Sequence, residues 1–261
     1  MADRPAEPPS TVLRSLAQAN REPGRGTIFV VVWLLNLIVR PLTRRDWRGQ
    51  DKIPQTGGVI FVANHISHAD PFALAQFLAF SGRWPRFLAK ASLFRYPVLG
   101  HLLRACGQIP VQRQSAQSAD ALLAAVEAVR QGRAVVIYPE GTITHDPDLW
   151  PMKGKTGAAR IALRTGCPVI PIGQWGAQEL MYGKKVHFPH LFPRKTLRLV
   201  AGDPVALDEF RGQPVTAAVL DAATSAIMDA ITSLVAELRQ EPPPAERFDP
   251  RRTAPPGEEA L

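Results

Sequence analysis

Cysteine is almost missing. The 261 residues include two, Cys106 and Cys167. Two thiols exclude a disulfide framework and a Cys-rich zinc module. A chain this long needs neither staple, because it can bury a substantial core. Long hydrophobic runs are missing too. The most apolar stretch, Thr27–Val39, would form about 20 Å of helix against a hydrocarbon core of about 30 Å. The first nine residues mix charge with proline, where a secretory signal would place apolar residues. Acid is scarce relative to base: 23 Asp+Glu against 31 Lys+Arg, a net charge of +8. That balance suits an anionic partner, whether a phosphate ligand, nucleic acid or an acidic lipid surface.

What is present is a globular composition, 46% hydrophobic and 21% charged. Short β-rich apolar runs alternate with helical spacing. Gly58–Ala63, Arg86–Lys90, Gln108–Val111, Ala134–Tyr138, Pro168–Ile172 and Thr196–Val200 read as strands. Phe72–Phe80, Pro97–Ala105, Ala119–Arg130, Thr156–Thr165 and Ala217–Leu238 read as helices. The alternation predicts an α/β domain with a largely parallel sheet flanked by helices. We expect a flexible N-terminus over 1–26, an apolar membrane-associating helix within 27–45 and the α/β domain over 46–240. Residues 241–261 hold six of the 25 prolines and little apolar mass, which predicts a disordered tail. Arginines at 25, 40, 44, 45 and 48 flank the apolar run. A short helix with such flanks fits an interfacial segment whose guanidiniums meet lipid phosphate. The alternative is a buried helix capping the domain.

Three groups of residues carry chemistry. The first follows the strand Gly58–Ala63: Asn64, His65, Ile66, Ser67, His68, Ala69, Asp70, Pro71. Asp followed by Pro marks a helix start, with Asp as the N-cap. His65 then lies on a loop at the C-terminal end of a strand, where open α/β sheets bind ligands. An Asp70 carboxylate on one ring nitrogen would leave the other free to accept a proton. The bland reading is that Asp70 only caps a helix and His65 bonds locally. A metal held by His65, His68 and Asp70 is the third, and their spacing fits metal sites poorly. His68 is the less well placed base.

The second group is basic. Arg83, Arg86, Lys90, Arg95, Arg104 and Arg113 stand in a stretch without one acid. Arg113 follows a short strand, where a guanidinium could grip phosphate bidentately, and Lys90 could add a point charge. A second acid-free stretch, Leu180–Gly202, interleaves bases with Tyr182, Phe188 and Phe192. Base with aromatic fits single-stranded nucleic acid or a membrane, and the apolar run favours the membrane. A solvated basic face is the bland alternative to both.

The third group is Tyr138-Pro139-Glu140-Gly141-Thr142, at the end of a strand. It offers a carboxylate, a hydroxyl and a glycine that allows a tight turn, or it is a plain turn. Gly154-Lys155-Thr156 looks like the end of a phosphate loop, but Leu149 stands where that loop needs glycine.

In this order the groups resemble the glycerolipid acyltransferases, specifically the bacterial 1-acylglycerol-3-phosphate type. His65 and Asp70 match the family's His-x4-Asp. Gly107 to Arg113 matches its Gly-x5-Arg block. Tyr138 to Thr142 matches Phe-Pro-Glu-Gly-Thr-Arg, with Tyr for Phe and Ile143 for the final Arg. Val169 to Ile172 matches the fourth, apolar-proline block. The resemblance implies acyl transfer from acyl-CoA or acyl carrier protein to a lysophospholipid hydroxyl at the cytoplasmic face of the cell membrane. It implies His65 as base and Asp70 as its orienting partner. It also implies Arg113, Lys90, Glu140, Gly141 and Thr142 as acceptor-binding residues. No metal, cofactor or nucleic acid is expected. With Ile143 in place of arginine, Lys153 and Lys155 are the nearest substitute cations, and a different lysolipid or glycolipid head group is an alternative acceptor. Rival classes are a metal-dependent hydrolase and a non-catalytic lysolipid-binding membrane protein.

Overall fold

The structure, a computed structural model, describes residues 26–111, 118–181 and 189–253. In chain order the main elements begin with α1 Gly26–Leu42, β1 Thr43–Arg48, β2 Val59–Ala63, α2 Asp70–Phe80 and β3 Pro85–Lys90. Then come α3 Pro97–Ala105, β4 Ile109–Val111, α4 Ser118–Arg130, β5 Ala134–Ile137 and α5 Gly157–Thr165. The last are β6 Val169–Trp175, β7 Lys195–Ala201, α6 Ala217–Arg239 and α7 Pro250–Thr253.

The strands form one seven-stranded sheet in the order β1-β7-β6-β2-β5-β3-β4. All neighbours are parallel except β6 and β7. Alternation along the central strands builds two cores. On one face Ile60, Val62, Val135, Ile137 and Val169 meet α4, α5 and α6. On the other, Val59, Phe61, Val136, Ile170 and Ile172 meet α2. Strands buried on both sides read as unbroken apolar runs, which is why they are legible in sequence. α6 lies close on β6, because a Cβ at Gly173 would come within 2.7 Å of Leu234.

Three features differ from expectation. β1, Thr-Arg-Arg-Asp-Trp-Arg, escaped notice because its residues are polar and form a sheet edge. It takes 43–45 out of the expected membrane helix, so Arg44 and Arg45 are strand residues. Among the described helices, the one long and apolar enough to cross a membrane is α6, at the C-terminal end and not the N-terminal one. Leu220, Ala223, Ile227, Ile231 and Val235 bury one side of α6 in the core. Finally, part of the expected loose tail lies against the domain. Lys153 N–H donates to the Phe248 carbonyl, and Arg247 pairs with Asp229 on α6. Polar anchors there do what the missing apolar mass could not. Residues 254–261 and 1–25 lie outside the described residues.

Candidate active site

The parallel strands β2, β5 and β3 are adjacent, so the segments that leave their C-terminal ends share one edge of the sheet. His65 and Asp70 follow β2, Glu140, Gly141 and Thr142 follow β5, and Lys90 ends β3. Lys90 is in register with Val111 of β4, two residues before Arg113, which lies outside the described residues.

His65 Nδ1 is 2.9 Å from Asp70 Oδ2. Asp70 is the first residue of α2 rather than its cap; the cap position belongs to Ala69. Its carboxylate turns back onto the loop, where Oδ2 also accepts N–H bonds from Ile66 at 2.6 Å and Ser67 at 2.7 Å. Two backbone donors hold the oxygen that meets the imidazole, so the pair is built into the loop. Asp70 is fully buried, and the His65 side chain is 15% exposed. With Nδ1–H donating to the carboxylate, Nε2 carries the ring's free lone pair.

The loop is pinned on every side. Asn64 Oδ1 accepts from Gln174 N–H, and Asn64 Nδ2 donates to the Gln174 carbonyl, tying the end of β2 to β6. The Ser67 hydroxyl bonds to the carbonyls of Ala177 and Met181 and accepts from Ala69 N–H. Thr144 N–H donates to the His65 carbonyl at 2.7 Å. The Tyr138 ring stacks on the imidazole, with centroids 4.2 Å apart and planes 18° from parallel. Burial, then the Asp70 charge, pushes the Tyr138 phenol well above its usual range, so the hydroxyl stays neutral. Sequence reading overlooked the parts played by Asn64, Ser67, Tyr138 and Gln174. Ser67 stands inside the His-x4-Asp block and Asn64 directly before it, while Gln174, over a hundred residues away, carries no local signal.

Glu140 is turned inward, onto backbone amides. It is 1% exposed. Its Oε1 accepts His65 N–H at 2.9 Å, and its Oε2 accepts Met152 N–H at 3.0 Å. A carboxyl engaged in this way braces the His65 loop. Burial pushes its pKa up from 4.5 to about 8, against the pull of the Met152 and His65 amides. The folded protein therefore holds a proton that the unfolded chain releases above about 4.5. The resulting stability is complete at low pH and is lost as pH rises through about 8. In urea melts at pH 5 and pH 8, wild type should lose more stability across that interval than Glu140→Gln. Equal losses would contradict the buried proton.

Gly141 adopts φ +75°, and a Cβ there would lie 3.2 Å from Lys155 Cε and Nζ. The lysine thus crosses directly over the Glu-Gly-Thr turn, and its own N–H donates to the Pro139 carbonyl at 2.8 Å. Lys153, the other candidate cation, points elsewhere and pairs with Asp249 at 3.2 Å. Ile143 is buried. Arg83 and Arg86 are buried as well, so they do not belong to a basic surface. Among the described residues, no group of three or more His, Cys, Asp or Glu side chains could hold a metal ion.

A sequence profile described as Acyltransferase matches residues 44–175, from β1 through β6. The chain belongs to the acyltransferase family. All the described residues of the loop clamp and the His65–Asp70 pair fall inside that match except Ala177 and Met181. Among curated acyltransferases, a chloroplastic 1-acyl-sn-glycerol-3-phosphate acyltransferase of Brassica napus is 31% identical over 59% of this chain and 43% of its own. The 1-acyl-sn-glycerol-3-phosphate acyltransferase of Borreliella burgdorferi is 33% identical over 57% of this chain and 55% of its own. The chain thus spans about half the length of the curated relatives it matches. The fold is similar to that of the 1-acyl-sn-glycerophosphate acyltransferase of Thermotoga maritima, with a TM-score of 0.63, 21% identity and 88% of each chain covered.

Proposed function

We propose that this enzyme transfers an acyl group from a thioester to the free hydroxyl of 1-acylglycerol 3-phosphate, giving phosphatidic acid. The observation that carries the reading is the His65–Asp70 hydrogen bond, held by two backbone donors at the ligand-binding edge of the sheet. His65 Nε2 takes the hydroxyl proton as the acceptor oxygen attacks the thioester carbonyl. The carbon–sulfur bond breaks, and the imidazolium returns the proton to the departing thiolate. Asp70 fixes the tautomer and stabilises the imidazolium. No acyl-enzyme is needed, because the acceptor hydroxyl is itself the nucleophile. The donor is acyl-CoA or acyl carrier protein.

Three cations serve the acceptor phosphate in this reading: Arg113, Lys90 and Lys155. Lys155 supplies, from over the Gly141 turn, the charge that Ile143 lacks. Gly141 and Thr142 face the glycerol, while Glu140 positions the His65 loop. Residues 46–240 form the catalytic unit, and the apolar face of α1 seats it on the cytoplasmic face of the membrane. An acceptor that stays in the bilayer avoids exposing its chain, which costs about 0.8 kcal/mol per CH₂.

A thiol-release assay with one acyl-CoA and a panel of acceptors tests the assignment. 1-Acylglycerol 3-phosphate should be turned over faster than glycerol 3-phosphate or a lysophosphatidylglycerol. Preference for another head group would move the enzyme to a different lysolipid, the second reading that Ile143 supports. Lys155→Ala should raise the acceptor KM about tenfold and leave the donor KM in place. A change confined to the donor KM would assign Lys155 to the thioester.

A further inference from the structure

A second basic site lies on the same edge of the sheet, away from the reacting groups. β1 and β7 run opposite to β6 and β2, so their N-terminal ends meet the edge that carries His65. Arg40 and Pro41 precede β1, and Arg194 precedes β7. With Asn36 and Leu37 they line a groove of about 410 Å³. From β2 to β1 is three strand spacings, about 14 Å.

The groove gathers positive charge from Arg40 and Arg194. Arg194 is fixed by donating to the carbonyls of Arg40 and Thr43, at 3.1 and 2.8 Å. Arg45 backs the groove. It bonds to Asn36 Oδ1 and Gln76 Oε1 and stacks on Trp47 and Phe80. Burial, and after it the neighbouring Arg40 charge, pushes Arg45 down to about 10. Among the described residues, no carboxylate lines the groove. Asp46, the acid nearest in sequence, is 3.7 Å from Arg48 and 4.0 Å from Arg198.

Beside these charges lies exposed apolar surface. Val32 anchors α1 against Ala79 and Trp84. Phe29, Val30, Trp33, Leu34 and Leu37 of the same helix are left outward, and Phe192, 80% exposed, stands two residues from Arg194. Guanidiniums next to an uncovered apolar helix match the two layers of a bilayer surface, phosphate above and acyl chain below.

We propose that the Arg40–Arg194 groove binds the phosphate of an anionic bilayer phospholipid as a docking site distinct from the acceptor site. The headgroup lies between the two guanidiniums, and Leu37 and Trp33 enter the acyl layer. Because the groove shares an edge with His65, a lipid bound there turns the reactive edge toward the bilayer. The proposal rests on the membrane-seated reading given above.

The test is co-sedimentation of the full chain with phosphatidylcholine vesicles, with and without phosphatidylglycerol. Wild type should prefer the anionic vesicles. Each arginine near such a surface contributes about fivefold. Arg40→Gln should therefore cut the anionic preference about fivefold and leave binding to neutral vesicles unchanged. Turnover of a short-chain, water-soluble acceptor should also be unchanged. Arg130→Gln, which removes the same charge from the last turn of α4 at the far end of the sheet, should have little effect. An unchanged preference in Arg40→Gln, or an equal loss in Arg130→Gln, would overturn the site in favour of net charge alone. Thiol release without vesicles reads the chemistry separately: its absence with a persisting Arg40-dependent preference would sink the acyl-transfer reading and spare the groove.

Discussion

His65→Ala should lower kcat for thiol release by about 10²–10⁴-fold while the protein stays folded. The large effect follows from the nucleophile. An alcohol is almost wholly protonated at neutral pH, so attack requires a base at the moment the oxygen–carbon bond forms. The small structural cost follows from the site. Among the described residues the imidazole makes one side-chain hydrogen bond and one ring contact, and the loop is held independently by Asn64, Ser67 and Glu140. Asp70→Asn should also be severe, because its amide oxygen can still accept at the Oδ2 position but the negative charge that stabilises the imidazolium is gone. Turnover and a thermal melt on the same preparations check both. Near-wild-type kcat in His65→Ala would remove the base assignment.

Arg83→Ala should produce the opposite pattern, a large loss of stability with little change in KM. Arg83 is 1% exposed, beneath the sheet edge opposite His65. Its Nη1 donates to the Pro54 carbonyl at 2.7 Å and the Thr56 carbonyl at 3.5 Å. Its Nη2 donates to the Gly57 carbonyl at 2.7 Å and the Gly132 carbonyl at 3.0 Å. One guanidinium therefore joins the loops that lead into β2 and β5. Removing it empties a buried side-chain site and takes the donor from four carbonyls of these loops, and each group left unsatisfied costs about 1–3 kcal/mol. A total of about 3 kcal/mol or more would lower Tm by roughly 6–12 °C in a domain of this size. A Tm within a degree or two of wild type would show that water replaces the cage.

Arg83 also shows where sequence reading ends. In the sequence it stands with five other bases in an acid-free stretch and reads as part of a positive face. Nothing local reveals that its charge is spent on four carbonyls, three of them some 26–29 residues away and one 49 residues away. Glu140 is similar. Its motif marks it as important, yet only packing shows both carboxyl oxygens turned inward to the amides of His65 and Met152. The antiparallel β6–β7 pair and the polar strand β1 were equally out of reach, because pairing direction and an edge position leave no apolar trace.

The amino-acid order by itself determined the alternating α/β plan, the buried central strands and the segment that carries His65 and Asp70. Apolar periodicity and short-range spacing are local properties, so a single chain displays them. The tertiary structure alone decided which charges face solvent and which brace loops, and which lysine lies over the Gly141 turn. It also set the edge that the Arg40–Arg194 groove shares with the His65 loop. Those outcomes depend on partners distant in sequence, brought together only when the two faces of the sheet are covered.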